Sequence, residues 1–341
     1  MLRETGVDIL VDNREIAVMG LVEVIKHYPK IRRALKTMEE HLHKAPPDLL
    51  ILVDYVEFNL KLAKTAKSLG IKVLFYVSPQ IWAWRPGRVK KIGTVIDMMA
   101  TIFPFEVKYY EEANIPARYV GHPLVGKVHA SADRETLLAE FKLNPNAPVV
   151  SLQPGSRRGE IDQLLEPFIE TAIKLKERDP SIQFILPLAP GLDMPWLYER
   201  LAAHKNMLKV TLLQPGRSYD AMSMAHVVLS ASGTATLETT MMGTPMVVAH
   251  RISPISYQIF KRLIRIPHIS LANIVAQREI VKEFIQDAVK PENIAAEIER
   301  LLVNTAYRDQ MVRDMHEVTE KLGHESGSLK VAALAAEMLS G

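Results

Sequence analysis

The sequence predicts an α/β protein of two domains, each a parallel sheet with crossover helices, facing a common cleft. Three observations carry this expectation. The chain has 341 residues, more than one ordinary domain needs and enough for two. Hydrophobic residues make up 48% and charged residues 24%, a globular composition able to bury two cores. Short apolar runs alternate with amphipathic stretches along the whole chain, which is the rhythm of βαβ units.

In the first half, Asp48–Val53, Ile71–Val77, Met98–Phe103 and Ala117–Val120 read as strands, with helices such as Phe58–Leu69 between them. His122–Ala132 breaks the rhythm and reads as a linker. Pro148–Leu152, Ile182–Leu186, Leu208–Leu213, Val227–Leu229 and Met246–Ala249 restart it, and helices from about Pro291 close the chain. The domains are therefore expected at residues 1–125, joined by C-terminal helices at 306–341, and at 126–305. A Rossmann-like domain normally opens with a strand and a Gly-rich turn. The first forty residues offer neither, so the first domain is expected to be incomplete at its N-terminus.

Charge is nearly balanced, 42 basic against 39 acidic residues for a net +3. That suits anionic small molecules or an anionic membrane surface and gives no argument for nucleic acid. The absence of cysteine excludes disulfides, thiolate nucleophiles and cysteine-ligated zinc. Arg3 and Glu4 stand where a signal peptide needs an apolar core, and no run approaches the ~20 apolar residues of a membrane span. A cytoplasmic location is expected.

Two turns carry the signature of an anion site. In VVLSASGTATL, residues 227–237, an apolar strand runs through Ser232, Gly233, Thr234, Ala235 and Thr236 into a helix. Unpaired N–H groups and the positive end of a helix dipole meet there, and glycine permits close approach. Glu238, one turn further on, is placed to accept from ribose hydroxyls. The competing reading makes Ser232 or Thr234 a helix cap. In LQPGSRRGE, residues 152–160, Gly155, Ser156 and Arg157 occupy a second strand-to-helix turn, where a guanidinium can grip diphosphate. Ligands bind at the carboxyl edge of such sheets, so the two turns reinforce each other. There is no Asp-x-Asp pair to chelate a metal, and His41 and His43, two apart on a helix, point to different faces.

The first half adds three constellations. DYVEFN, residues 54–59, follows a strand and offers Asp54 and Glu57 as carboxylates to take a hydroxyl proton; the alternative is that Asp54 ends the strand while Glu57 or Asn59 caps the next helix. SPQIWAWR, residues 78–85, places Trp82 and Trp84 in one loop with Gln80 and Arg85, suited to sugar rings and acyl chains or to anchoring the loop in the core. Ile16–Met38 interleaves apolar residues, Leu21, Val22 and Ile25 among them, with Lys26, Lys30, Arg32, Arg33 and Lys36. It reads as a membrane-interface helix or as an ordinary packing helix.

Together VMGLVEV, DYVEFN, YVSPQIWAWR, VGHPL, PGSRRGE, SGTATLE and SLANIVAQRE stand in the order and spacing of the lipid-A-disaccharide synthases, which the chain resembles over nearly its whole length. The resemblance implies an inverting, metal-independent glycosyltransferase of the GT-B type, with no cofactor. It implies UDP-2,3-diacylglucosamine as donor and 2,3-diacylglucosamine 1-phosphate as acceptor, joined β-1,6 with release of UDP at the inner face of the cytoplasmic membrane of Gram-negative bacteria. It assigns Arg157, Glu238 and Asn273 to the UDP region and Glu57 to the general base. Val56 replaces a frequent proline and Glu57 a frequent aspartate, and the family's N-terminal Gly-rich motif with its Glu-x-Ser-Gly-Asp pattern is not in the sequence. A UDP-sugar epimerase of the same plan and an inactive fragment that still binds UDP are the alternatives. The oligomeric state stays open, a homodimer included.

Overall fold

The computed structural model describes residues 6–12, 21–84, 87–204, 206–263, 266–325 and 327–340; within these, the side chains of 21–26, 84, 255, 256, 259 and 260 are not described. The chain divides into two units, Met1–Pro123 with Glu325–Gly341, and Leu124–His324.

In the first unit, α1 (Leu21–Lys44), β1 (Leu49–Val53), α2 (Val56–Ser68), β2 (Lys72–Tyr76), α3 (Ile81–Trp84), α4 (Arg88–Gly93), β3 (Met98–Thr101), α5 (Val107–Glu111) and β4 (Ala117–Tyr119) follow in order. The strands form a parallel sheet in the order β1-β2-β3-β4. A parallel sheet needs cover on both faces, and alternate residues show how it is supplied. Leu52, Val73, Phe75 and Met99 pack with Ala34 and Leu42 of α1 and Phe58 and Leu62 of α2. Leu74, Ala100 and Val120 face the other way, onto Val331, Leu334 and Ala335 near the end of the chain.

The second unit contains α6 (Arg134–Glu140), β5 (Val149–Gln153), α7 (Arg158–Arg178), β6 (Gln183–Pro187), α8 (Met194–Ala202), β7 (Val210–Leu213), α9 (Ser218–Met224), β8 (Val227–Ala231), α10 (Thr234–Met242), β9 (Met246–His250), α11 (Pro254–Leu263), α12 (Leu271–Ala276), β10 (Lys282–Ile285), α13 (Pro291–Val303) and α14 (Thr305–Lys321). Its six parallel strands run β10-β9-β8-β5-β6-β7. This is the doubly wound order, reversing direction between β5 and β8. β10, KEFI, escapes the sequence reading because two of its four residues are charged and all are half-buried at the sheet edge.

The end of the chain is shared differently from the expectation of one block at 306–341. α14 packs on α10, α12 and α13 and groups with the second unit. Only α15 (Gly327–Ser340) returns to the first unit, where Gly327 is so close to the chain leaving β4 that a Cβ on it would meet the Gly121 carbonyl.

One buried carboxyl organises the β3 exit. Glu106, only 1% exposed, accepts from the Ile102 and Phe103 N–H groups at 3.2 and 3.1 Å and from Trp82 Nε1 at 3.1 Å. Burial outweighs these donors and pushes its pKa from the ordinary 4.5 up to about 7. The folded chain therefore holds this proton more tightly than the unfolded chain. Its contribution to stability is complete below the ordinary value and is lost as pH rises through about 7. In urea unfolding across that window, Glu106→Gln should flatten the decline in stability with rising pH. An unchanged slope would mean that Glu106 is not the titrating group.

Candidate functional site

In a doubly wound sheet the loops on either side of the reversal point part to opposite faces and leave a crevice at the strand ends. Here the crevice lies past β5 and β8. It is a cleft of about 530 Å³ bordered by Gln153, the Gly155–Arg157 turn with Glu160, the Ala231–Ala235 turn with Glu238, Pro187 at the end of β6 with Ala189 and Pro190 after it, and Ser218 and Tyr219 on α9. Both turns pivot on a glycine with φ +133°, a conformation side chains rarely adopt. At Gly155 a Cβ would also fall 2.6 Å from the Cβ of Glu160. At Gly233 the space is open, so only backbone conformation demands glycine.

The sequence-predicted nucleotide residues separate into two groups. Gly155, Ser156, Arg157, Ser232, Gly233, Thr234, Ala235 and Glu238 border the cleft. Thr236 and Asn273 do not. Thr236 is fully buried; its hydroxyl donates to the Gly233 carbonyl at 2.7 Å and accepts from the Leu271 N–H at 3.1 Å, bracing the turn from behind. Asn273, also fully buried, has its hydrogen-bonding capacity filled. Its amide donates to Val281 O and Glu283 Oε1, and its oxygen accepts from the Ile280 and Val281 N–H groups. It ties α12 to β10 and leaves nothing for a ligand. Neither Ser232 nor Thr234 caps α10, whose N-cap is Gly233 with no side-chain bond.

The ionisable groups of the cleft are mutually arranged. Glu160 accepts from the Ser156 N–H at 2.9 Å and the Arg157 N–H at 3.3 Å, and its other oxygen lies 2.9 Å from Arg157 Nη1. Ser232 Oγ lies 2.6 Å from His250 Nδ1, and burial holds that imidazole below its ordinary pKa. Tyr219, which sequence reading passed over, donates to Glu238 Oε1 at 2.9 Å. No local motif marks it, because its partner lies 19 residues away.

In the first unit, the β1 and β2 exits are both strained. Asp54 and Tyr55 have φ +48° and +41°, and Val77 has φ +71°, left-handed values unfavourable for such residues and concentrated at functional turns. Asn59 does not cap α2. Its amide donates to the Val53 and Asp54 carbonyls at 3.1 and 2.7 Å, holding the Asp54 turn in place. The N-cap is Tyr55, whose side chain makes no capping hydrogen bond, so Glu57 does not cap either. Glu57 is 76% exposed and pairs with Arg88 at 2.6 Å, while Asp54 is exposed beside it.

The tryptophan loop differs from its aromatic-platform reading. Trp82 is buried, bonded to Glu106 and edge-on to Phe105; it anchors the loop. Gln80 is exposed. Trp84's side chain and Arg85 lie outside the described residues, as do the side chains of Leu21, Val22 and Ile25. Further along α1, Ile31, Ala34, Leu35, Met38 and Leu42 turn onto the domain core, and Lys30, Arg32, Arg33 and Lys36 are exposed. Among the described residues no helix is long and apolar enough to cross a membrane.

Solved structures share this architecture at low sequence identity. A UDP-GlcNAc 2-epimerase from Neisseria meningitidis, bound to UDP-GlcNAc, superposes with a TM-score of 0.56 at 13% identity, covering 89% of this chain and 81% of that one. An α,α-trehalose 6-phosphate synthase from Burkholderia multivorans gives 0.56 at 13%, covering 95% and 78%. These likenesses establish the fold and do not choose between epimerase and transferase. Sequence does. The lipid-A-disaccharide synthase of Geobacter sulfurreducens is 48% identical over 338 residues, 99% of this chain and 87% of the relative. That of Nitrosococcus oceani is 44% identical over 340 residues, 100% and 87%, and one from Coxiella burnetii 37% over 338 residues, 99% and 88%. Residues 1–338 match the family described as Lipid-A-disaccharide synthetase, and the chain belongs to that glycosyltransferase family of lipid A biosynthesis.

Proposed function

We propose that the chain transfers 2,3-diacylglucosamine from UDP to the 6-hydroxyl of 2,3-diacylglucosamine 1-phosphate, releasing UDP and leaving a β-1,6 linkage. The observation that carries this reading is the pair of glycine turns meeting at the β5–β8 reversal, in a chain of this family. Two helix N-termini and Arg157 converge there, a combination suited to diphosphate. Binding exchanges one anion for another at the Ser156 and Arg157 N–H groups, with diphosphate taking the place of the Glu160 carboxylate. Glu238 accepts from the ribose.

In the reaction, an acceptor oxygen attacks the sugar's C1 from the face opposite UDP. The C1–O bond to the diphosphate breaks, and its electron pair leaves with UDP, stabilised by the turn N–H groups and Arg157. The hydroxyl proton passes to a carboxylate, Glu57 or its neighbour Asp54. The turn N–H groups and Arg157 supply the positive charge that a metal provides elsewhere, and no metal is invoked. The exposed basic face of α1 lies against the anionic membrane surface on its cytoplasmic side, with Leu21, Val22 and Ile25 entering the headgroup boundary.

Three outcomes test the reading. UDP should raise the thermal midpoint, and Arg157→Ala and Glu238→Ala should each weaken binding by ~1–3 kcal/mol, the scale of hydrogen bonds to charged groups; equal shifts in all three proteins would remove both residues from the site. In a turnover assay run with excess chelator, Glu57→Gln should slow kcat ~10²-fold or more while UDP affinity holds. If that variant is fully active and Asp54→Asn is crippled, the base is Asp54. Changing Leu21, Val22 and Ile25 together to serine should reduce sedimentation with anionic vesicles, and unaltered sedimentation would assign the segment to internal packing.

A further inference from the structure

Glu238 sits four residues beyond Thr234 on α10, just over one helical turn or about 6 Å along the axis from the anion-binding N-terminus. That is the scale of the step from a nucleotide's phosphate to its ribose. Both Glu238 and Tyr219 border the cleft, and they belong to different helices, α10 and α9. Tyr219 donates to Oε1 at 2.9 Å, and the other carboxylate oxygen accepts from no described residue. A half-buried carboxylate with one oxygen tied and one free presents a single, fixed acceptor to a ligand.

We propose that Tyr219 is a positioning residue for nucleotide recognition, holding one oxygen of Glu238 so that the other accepts from a ribose hydroxyl and the cleft prefers ribonucleotides to 2′-deoxyribonucleotides. This rests on the UDP reading above and adds to it the group that enforces the sugar choice. A carboxylate anchored at one oxygen loses little side-chain freedom on binding, and a site built to bond a hydroxyl discriminates strongly against the analogue lacking it.

The electrostatics agree with the geometry. Burial pushes the Glu238 carboxyl up from its ordinary range, and the Tyr219 hydroxyl opposes this by stabilising the anion. Tyr219 is itself pushed up to about 12, so it remains a donor wherever Glu238 titrates. The other charged groups bordering the cleft, Arg157 and Glu160, pair with each other. Removing the tyrosine hydroxyl leaves burial unopposed, so Glu238 should take up its proton at a higher pH and stop accepting.

The experiment measures the affinities of UDP and 2′-deoxy-UDP by calorimetry across acidic to neutral pH, for the wild type, Tyr219→Phe, Glu238→Gln and the double variant. The wild type should prefer UDP about tenfold or more, with affinity falling on the acid side. Tyr219→Phe should weaken UDP more than 2′-deoxy-UDP, narrowing the preference to a few-fold at most, and move the acid limb to higher pH. Glu238→Gln should abolish both preference and limb, and Tyr219→Phe should then add nothing in the double variant. Equal losses for the two nucleotides, or an unmoved acid limb, would overturn the positioning role, as would a full Tyr219 effect persisting in the Glu238→Gln background. The Glu238→Gln and double-variant comparison holds even if Tyr219→Phe lowers stability. Absence of UDP binding in the wild type would overturn the nucleotide reading itself.

Discussion

The reversal of strand order between β5 and β8 is the constraint on which the second unit and its cleft depend. Neighbouring parallel strands end at the same level, so the turns leaving them are forced side by side before their helices part to opposite faces of the sheet. Close approach then requires both turns to expose backbone and not side chain, and Gly155 and Gly233 meet that requirement with the same φ of +133°. The surrounding groups follow from it. Glu160 reaches back over the first turn because Gly155 has no Cβ to block it. Thr236 holds the second turn by its carbonyl, and Glu238 emerges one turn later along the same helix.

The first unit solves a related problem by different means. Its β1 and β2 exits contain no glycine, and Asp54, Tyr55 and Val77 adopt left-handed backbone instead, a conformation that costs of order 1–3 kcal/mol where it occurs outside glycine. Side chains from behind offset this. Asn59 bonds two successive carbonyls of the Asp54 turn, and the loop after β2 is tied by the Trp82 indole to Glu106, the carboxyl that organises the β3 exit. The exposed Asp54 is thus mounted on a turn whose shape is braced by the buried Asn59 amide and not by local propensity, and Glu57 on the first turn of the helix after it.

That division explains what could be read from sequence. Strands of continuous apolar residues and the two glycine turns announce themselves, because period and residue type act locally. The braces do not. Asn273 looks like a ligand residue in SLANIVAQRE, yet its partners, Val281 and Glu283, lie eight and ten positions on, just before and within a strand too charged to be recognised. Trp82 looks like a sugar platform until Glu106, 24 residues away, is found beneath its N–H. A charged residue set among apolar ones at a strand exit, as Glu106 is in IFPFE, was the available signal. Tyr219 offered none.

The return of α15 to the first unit has a consequence for how the protein comes into being. Among the described residues, Leu74, Ala100 and Val120 are covered by Val331, Leu334 and Ala335, residues made after the entire second unit. A ribosome therefore releases the first sheet with one apolar face bare, and it stays bare for as long as translation of the rest takes. Domains ordinarily complete themselves in order as they emerge; here the second unit can close first, and the first must wait. Between the synthesis of β4 and that of α15 this apolar face lacks its α15 cover, and loss of the last dozen residues would uncover a sheet far away in sequence.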